Sequence, residues 1–516
     1  FKGKLFLIKC VYHKLFKDNA MLEKKNVFFN HKNLILITVI LMYLPVSLDA
    51  TILHVATPSL ALDLKASSKE VLWIIDIYSL VMACLLLPMG VLADKIGFKK
   101  ISLIGVLLFC VASCLAYISS NTIMLICART LLAIGAAMII PATLLALRLS
   151  FVKPKERAVA LGVWSAIGTG GAAFGPFVGG LLIENYSWNS VFFINIPICF
   201  IVFFMLVSLR EYKVLNTSKI INLLDPLLLM FSILMIVLGV KNLGASEEFI
   251  KYLSFIILGL VLLLIFWKRQ IKHVHPMIDI ELFKHKPILA GLILAFIAMA
   301  TLVGFEFFVS QELQLAFGLS PFQAGLFLFP FIIASSISGP FVGFTLTWLG
   351  VKKIGFYGVL LSSLCFFFMA FMDFSSNGWE VWVTMIILGF CIEAALISST
   401  YVIMNAAKKE KAGEAGAIEG MAYELGAGTG IILFGMIMSA SFTANLSVDF
   451  LADIKQAPPL SLSEAISIAD LLPNWQGQEL IHASKIAFLN SHGNVMLVAA
   501  ILLILLSFII SHLLKE

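Results

Sequence analysis

The chain has 516 residues, of which 60% are hydrophobic and only 13% are charged. A soluble protein of this length needs more charged residues to cover its surface, so the composition excludes a soluble enzyme. Apolar runs of about 20 residues, long enough to cross a bilayer as a helix, recur along almost the whole chain. They are too long and too uniformly apolar for the strands of a membrane β-barrel. The sequence therefore predicts an all-α integral membrane protein.

The apolar runs predict fourteen transmembrane helices. Residues 1–32 form a basic tail before them, and residues 1–20, which precede Met21, are interpreted either as a disordered tail or as sequence that is not native to the protein. The predicted spans are 33–54, 71–93, 101–119, 122–146, 158–183, 189–209, 222–241, 251–268, 287–309, 321–348, 354–372, 380–403, 413–440 and 493–514.

A short internal repeat indicates how these spans are organised. The segment 90–101 after the second span and the segment 343–354 share two glycines, two lysines and an isoleucine at the same spacing. Duplicated halves are common in transporters, so we predict two six-helix halves that flank a central helix pair. The predicted units are an N-terminal half at 33–209, the pair at 222–268, and a C-terminal half at 287–514 whose partly helical extracytoplasmic loop spans 441–492.

The basic residues predict the orientation of the chain in the membrane. Most of the 36 lysines and arginines fall on one side if the N-terminus is cytoplasmic. Basic loops stay in the cytoplasm, so both termini are predicted to be cytoplasmic. The net charge of +6 is then a signal of topology and not of nucleic-acid binding.

Several predicted spans contain ionisable residues, each of which costs at least about 2.5 kcal/mol at the centre of a bilayer. Acids outnumber bases among them, and such an interior favours cations or protons over anions. These residues are Asp49, Asp76, Arg129, Glu306, Glu393, Glu419 and Glu424.

Three of these residues belong to the predicted N-terminal half. Asp49 and Asp76 lie in the outer parts of the first two spans and are interpreted as carboxylates that bind protons or cations. The alternative is that they lie near helix ends and reach water. Arg129 in the fourth span is either a proton-coupling partner of a carboxylate or one side of a static ion pair.

Two of the acids share one predicted span. Glu419 and Glu424 are separated by about 140° around a helix, so both cannot face one cavity squarely. Glu419 lies nearer the cytoplasmic end, where it could meet water or Lys411 and be structural. Glu424 is deeper and is flanked by Gly426 and Gly428, which makes it the stronger candidate for contact with a substrate.

Glycines mark two segments that are expected to govern movement. Residues 168–180 carry glycines at four-residue spacing, which lets helices approach closely, and Pro176, which can bend a helix. The alternative is ordinary small-residue packing. The segment 90–100 is predicted to be a latch in which Asp94 faces a helix N-terminus or a basic residue.

Over roughly residues 30–440 these motifs resemble the fourteen-spanner drug:proton antiporters of the major facilitator superfamily, in particular the pumps for quaternary ammonium compounds and methyl viologen. His54 stands where the family usually has asparagine, Leu132 and Ala133 stand where glutamine and glycine are expected, and the predicted span 321–348 lacks the acid that some relatives carry. The matching residues are Leu48, Asp49, Thr51 and Pro58; Trp73, Asp76 and Tyr78; Gly90, Asp94, Gly97, Lys99 and Lys100; Arg129, Gly135 and Ala136; and Gly171, Gly175, Pro176, Gly179 and Gly180.

The resemblance implies a major facilitator fold and proton-coupled export of lipophilic, mainly cationic drugs, dyes and antiseptics. It implies proton or cation coupling by Asp49, Asp76 and Arg129. Candidates for the substrate cavity are Trp73, Tyr78, Glu306, Glu393, Glu419 and Glu424.

The expected partners of the protein are small lipophilic cations, protons and the bilayer of a bacterial inner membrane. No cofactor, metal or nucleic acid is expected, and the chain is expected to be a monomer. The proton gradient would supply the energy. Three alternatives stay open: an exporter of an endogenous metabolite such as a polyamine or lipid, a proton-driven importer, and an ion channel. The antiporter motif at 171–180 disfavours the importer, and the sequence shows no repeated ring of filter residues for a channel.

Overall fold

The computed structural model describes residues 31–151, 153–209, 224–242, 249–273, 276, 281–374, 378–407, 412–447 and 459–513. Within these ranges the regular elements are helices, and no strand is present. The prediction of an all-α membrane protein is therefore confirmed. The basic tail at 1–30 and the segment 210–223 lie outside the described residues.

Seven helices form the first part of the chain. A capping box at Ser67 and Glu70 starts the second, and the Asn121 side chain caps the fourth by accepting a hydrogen bond from the Met124 amide. The helices are α1 His31–Asp63, α2 Ser68–Ile96, α3 Phe98–Tyr117, α4 Thr122–Ser150, α5 Pro154–Asn185, α6 Ser190–Phe193 and α7 Asn195–Ser208.

The remaining helices form a central group and a second large group. The central helices are α8 Leu224–Asn242, α9 Phe249–Lys272 and α10 Glu281–Lys284. They are followed by α11 Lys286–Gln311, a π-helical turn at Glu312–Ala316, α12 Pro321–Phe327, α13 Phe329–Leu349, α14 Val351–Met369, α15 Trp379–Ala406, α16 Ala412–Asn445, α17 Leu462–Ala469 and α18 Asn474–Leu513.

Two separate hydrophobic cores divide these helices. One buries side chains of α1–α7, and we call these helices the N-terminal bundle. The other buries side chains of the helices from α11 to α18, which we call the C-terminal bundle. A smaller core joins α8 and α9 to both bundles beside α2 and α16. The duplication of two six-helix halves and the division into these units stay predictions; in the described residues the two bundles also share a direct core formed by α1, α2, α11 and α16.

The two ends of the molecule are distinguished by the turn between α1 and α2. We call the end at Asp63–Ser68 the outer end, since the lysine and arginine bias predicts that it lies outside the cytoplasm, and the opposite end the inner end. Eleven described helices are long and apolar enough to cross a membrane, or up to twelve if one bent pair is a single span. The count of fourteen spans stays a prediction.

The structure corrects two predicted boundaries. The predicted span at 321–348 is two helices that meet at Leu328 with a bend of 45°. Pro330 explains the break, because proline lacks an amide hydrogen and its ring clashes with the carbonyl group four residues earlier. The predicted loop at 441–492 is shorter than expected, since α18 already begins at Asn474. The first turns of α18 are rich in polar residues, so the search for apolar runs did not include them in the last predicted span.

Two glycines at corresponding positions of the internal repeat share one backbone conformation. Gly97 separates α2 from α3 with φ 87° and ψ 151°, and Gly350 separates α13 from α14 with φ 77° and ψ 150°. A positive φ strains any residue with a β-carbon, which explains why glycine occupies both positions.

Candidate functional site

A buried ion pair lies in the core of the N-terminal bundle. Asp49 of α1 forms a salt bridge with Arg129 of α4, and the exposed fractions of these side chains are 0% and 1%. The Arg129 Nε atom also donates to the Ile74 carbonyl oxygen at 3.3 Å, and the guanidinium carbon lies 4.3 Å from the centre of the Tyr78 ring. The Asn195 side chain of α7 lies near the Asp49 carboxylate and interacts with it. Four helices therefore fix this pair.

The predicted motif of the second span lies on α2 beside this pair. Tyr78 is buried, and its hydroxyl group donates to the Val46 carbonyl oxygen at 3.4 Å. Asp76 is fully buried on the same helix, and Trp73, almost one turn before it, is half-buried. Among the predicted residues on α2, Tyr78 therefore contacts the ion pair, because its ring lies beside the Arg129 guanidinium group.

Glu424 brings a carboxylate of the C-terminal bundle to the same region. It lies on α16, is half-buried and interacts with Ser79 of α2. It also interacts electrostatically with Arg129, Tyr43 and Tyr78, all of which belong to the N-terminal bundle. Of the four predicted second-half acids, this is the one that faces the Asp49–Arg129 pair.

An aromatic pair lies on the N-terminal side of this interface. The rings of Tyr43 on α1 and Trp164 on α5 stack with centres 4.6 Å apart and an angle of 7° between their planes. The Trp164 indole donates to the Thr143 hydroxyl oxygen at 3.0 Å. Both rings are only half-buried although they lie within the bundle, so part of each ring is accessible. Aromatic faces attract cations, and the nearby Glu424 carboxylate adds to that attraction.

Two other predicted acids contact residues of their own bundle. Glu393 on α15 accepts a hydrogen bond from the Ser335 hydroxyl group at 3.2 Å. Glu419 on α16 is 3% exposed and accepts hydrogen bonds from the hydroxyl groups of Thr400 at 2.6 Å and Tyr423 at 3.0 Å. These hydroxyl groups satisfy the carboxylates inside the C-terminal bundle, which makes both acids weaker substrate candidates than Glu424.

The fourth second-half acid, Glu306, makes a contact that crosses between the bundles. Its Oε2 atom lies 3.5 Å from the Nδ1 atom of His54 on α1, and both residues are buried. Glu306 therefore lies against an imidazole at the outer part of the interface, and not at the Glu424 site.

The predicted antiporter motif packs α5 against α1. A β-carbon added to Gly171 or Gly175 would collide with the side chain of Ser47 or Thr51, and one added to Gly179 would lie 2.8 Å from the Ile52 side chain. The Thr51 hydroxyl group donates to the Ala172 carbonyl oxygen at 2.5 Å. The glycines thus hold α5 in close contact with the helix that carries Asp49. Through this segment α5 is one continuous helix with Pro176 inside it.

The remaining glycine of the motif packs against the other bundle. A β-carbon on Gly180 would lie 2.5 Å from the Pro321 carbonyl oxygen, and one on Gly325 would lie 2.7 Å from the Pro176 carbonyl oxygen. Phe177 adds ring contacts with two phenylalanines of α12 and α13. At the outer end, α5 and α12 therefore touch backbone to backbone.

The latch segment after α2 makes its described contacts within the N-terminal bundle. A β-carbon on Gly90 would lie 3.6 Å from the Pro141 Cβ atom. The Lys99 ammonium group donates to the carbonyl oxygens of Val207 at 2.9 Å and Leu209 at 2.5 Å, which neutralises the carbonyl end of α7. The Asp94 side chain lies outside the described residues, so its predicted role stays a prediction. Gly97 separates α2 from α3, and Lys100 lies in the first turn of α3.

Polar contacts join the bundles at the outer end. The hydroxyl group of Ser310 on α11 donates to the His54 carbonyl oxygen at 2.9 Å, and the Gln314 amide donates to the Val55 carbonyl oxygen at 3.0 Å. Ser68, the first residue of α2, donates to the hydroxyl oxygen of Ser461, which precedes α17, at 2.7 Å. The described contacts between α1, α2 and α5 and the C-terminal bundle therefore close the molecule at this end.

Gly180→Ala should weaken this closure, because the added methyl group would force α5 and α12 apart. We expect oxidative cross-linking of a Ser68→Cys/Ser461→Cys pair to fall severalfold in this variant. The control is Gly170→Ala, which makes the same change on the same helix at a glycine with no described atom within 4 Å of the added carbon. The control should cross-link like the parent protein. Equal cross-linking in Gly180→Ala would contradict this role of the outer contact.

Sequence reasoning missed several residues of this region. Tyr43 and Trp164 gave no charge or motif signal, whereas Ser79 and Asn195 lie in segments that match the family pattern but had no role assigned to them. A second buried pair was also missed, in which the Nδ1 atom of His492 lies 2.9 Å from the Glu312 carboxylate. No group of three metal-binding side chains occurs among the residues that the structure describes.

Sequence comparison matches the Major Facilitator Superfamily over residues 39–431. The chain is 45% identical over 477 residues to the methyl viologen resistance protein SmvA of Salmonella typhimurium, which covers 92% of this chain and 96% of that protein. It is 30% identical over 471 residues to the multidrug efflux pump LfrA of Mycolicibacterium smegmatis, over 89% of this chain and 92% of that protein.

Solved structures show the same fold at low identity. A bacterial homolog of the human lysosomal transporter Spinster, in an inward-facing and unoccupied conformation, superposes with a TM-score of 0.64 at 17% identity over 94% of this chain and 99% of that one. The nucleoside transporter NupG gives a TM-score of 0.57 at 14% identity over 94% and 100% of the chains. At this identity the likeness shows the fold alone. The chain belongs to the Major Facilitator Superfamily, among its drug efflux proteins.

Proposed function

We propose that this protein is a proton-coupled antiporter that exports lipophilic, mainly cationic compounds by alternating access. The observation that carries the proposal is the position of Glu424. This acid of the C-terminal bundle faces the stacked Tyr43–Trp164 rings and the Asp49–Arg129 pair of the N-terminal bundle. Quaternary ammonium and viologen compounds are flat or apolar cations, which suit a surface made of a carboxylate and aromatic faces.

The Asp49–Arg129 pair is proposed as the proton-coupling element. When Asp49 is ionised, the buried pair is neutral, and protonation of Asp49 would leave the Arg129 charge uncompensated. That charge interacts with Glu424, so the proton on Asp49 and the cation beside Glu424 influence each other. Asp76, buried on α2, is the second proposed carboxylate of this coupling.

The described contacts fit a state that is closed at the outer end. Gly180 touches Pro321, Ser310 bonds to α1, and Ser68 bonds to Ser461. In alternating access these contacts must break for release of the substrate outside, while the Glu424 region stays between the two bundles. We place the outer end outside the cytoplasm and both termini inside, with the chain acting as a monomer in a bacterial inner membrane.

The decisive experiment measures dye efflux from energised cells that express the protein. Efflux of a lipophilic cation such as ethidium should exceed that of cells without the protein, and a protonophore should abolish the difference. The same cells should tolerate more methyl viologen. Efflux that survives the protonophore would contradict proton coupling. Export of a polyamine or lipid, with no cation exported, would favour the metabolite exporter instead.

A further inference from the structure

His54 and Glu306 are the one described pair of ionisable side chains that meet across the two bundles within the membrane-spanning helices. The exposed fractions of the two residues are 0% and 5%. The His54 Nδ1 atom lies 3.5 Å from the Glu306 Oε2 atom, and neither imidazole nitrogen has a hydrogen-bond partner within the described part of the chain. The carbonyl oxygen of the same histidine accepts the Ser310 hydroxyl group of α11. The pair therefore lies inside the outer contact and separates when that contact opens.

The other ionisable groups near this pair lie on α1, α2, α5 and α17. On α1, Asp49 is paired with Arg129 of α4. Asp76 is buried on α2, and Asp63 at the end of α1 accepts the Trp188 indole at 2.7 Å. On the elements packed against α1 at the outer end, Glu184 ends α5 and Glu464 lies in α17 with its contacts to Ser68 and Leu460. Among the described residues near this pair, Glu306 therefore forms the ion-pair contact with the His54 imidazole.

Burial restricts how many protons the closed pair can hold. One shared proton makes the pair neutral overall, whether it lies on the imidazole or the carboxylate. With no proton the pair carries a net negative charge, and with two it carries a net positive charge. An uncompensated charge in this environment costs several kcal/mol. The outer contact therefore closes most readily when the pair holds a single proton.

We propose that His54 and Glu306 form a proton-dependent outer gate, which closes when the pair takes up a proton from the outer side. In the open state the two side chains separate and each faces water. Wherever the open pair holds no proton, closing must take up one, so the ratio of closed to open molecules rises as the pH falls, by up to tenfold per unit.

This gate adds to the proposed antiport and rests only on alternating access, not on the substrate. An acidic outer side would favour the return of the transporter to its outer-closed state. That is the direction in which a proton-driven exporter must move after release of its substrate. The gate does not itself carry a proton across, because the pair is sealed while the molecule is open at the inner end.

The test measures the outer gate in purified full-length protein in lipid nanodiscs, without substrate or gradient. Spin labels at Asn121→Cys and Trp379→Cys, two exposed positions at the outer ends of α4 and α15, report the separation of the bundles. The parent would have its native cysteines replaced. We expect the short-distance population to rise between pH 8.5 and pH 6.5. Because this experiment needs no transport, its result does not depend on the proposed export function.

One variant should reverse the sign of the pH dependence, and a second should remove the contribution of the pair. In Glu306→Gln the pair is neutral only when the imidazole carries no proton, so closing should become less favourable as the pH falls. In His54→Asn/Glu306→Gln neither side chain ionises, and the contribution of the pair to the pH dependence should vanish. Glu312→Gln is the matched control, since its histidine partner lies in the same bundle, and it should keep the parental slope. The same slope in the parent, Glu306→Gln and the double variant would overturn the proposal.

Discussion

Asp49→Asn should reduce dye efflux to the level of cells without the protein. The asparagine cannot ionise, so the substitution leaves the Arg129 guanidinium buried without its partner. Removal of one partner from a buried ion pair costs about 3–5 kcal/mol, and the variant should therefore also lose thermal stability. Efflux is measured per amount of protein in the membrane, and stability is measured by thermal unfolding in detergent.

A double variant separates coupling from structure. Asp49→Asn/Arg129→Gln removes both charges and should recover most of the stability that the single variant loses, because no uncompensated charge stays buried. If the pair couples protons to transport, efflux should stay at background. Recovery of efflux together with stability would show that the pair is a static contact between α1 and α4.

Glu424→Gln should lower the export of cationic substrates by at least about tenfold. A tenfold loss corresponds to about 1.4 kcal/mol, which is below the interaction of two charges about 4 Å apart near a protein surface. The glutamine keeps the size of the side chain and can still interact with Ser79, so the change removes mainly the charge. Dose–response curves for a monocation, a dication and a neutral substrate measure the effect, and the dication should lose most.

The matched control is Glu419→Gln, the same substitution on the same helix. Glu419 is held by Thr400 and Tyr423 inside the C-terminal bundle, so its effect on cationic substrates should be smaller. Export of a neutral substrate should change little in Glu424→Gln. An equal loss for neutral and cationic substrates would instead make Glu424 a coupling or folding residue.

The sequence predicted the class of fold because bilayer-spanning helices need long apolar runs, and those runs depend on composition alone. It also indicated Asp49, Arg129 and Glu424, since an ionisable residue in an apolar run stands out without any knowledge of its neighbours. Their distances across three helices did not follow from that pattern. The choice between Glu419 and Glu424 came from helix geometry and stays a prediction, and the structure has Glu419 as the more buried of the two.

The features that sequence reasoning missed depend on contacts between distant segments. Tyr43 and Trp164 are ordinary aromatic residues in apolar runs until α1 and α5 bring their rings together. His54 was noted as a departure from a family pattern, but its partner lies almost half the chain away. The bend at Leu328 had a local signal in Pro330, which the length of the apolar run obscured.

The glycine face of α5 also limits how this protein can evolve. A side chain at Gly171, Gly175 or Gly179 would collide with α1, so we expect selection to remove substitutions at these positions. The Tyr43–Trp164 surface belongs to the same two helices but is partly accessible, so its size and polarity can change without disturbing that packing. Populations exposed to a new biocide should therefore adapt through the accessible aromatic surface, while the glycine face accumulates only silent codon changes.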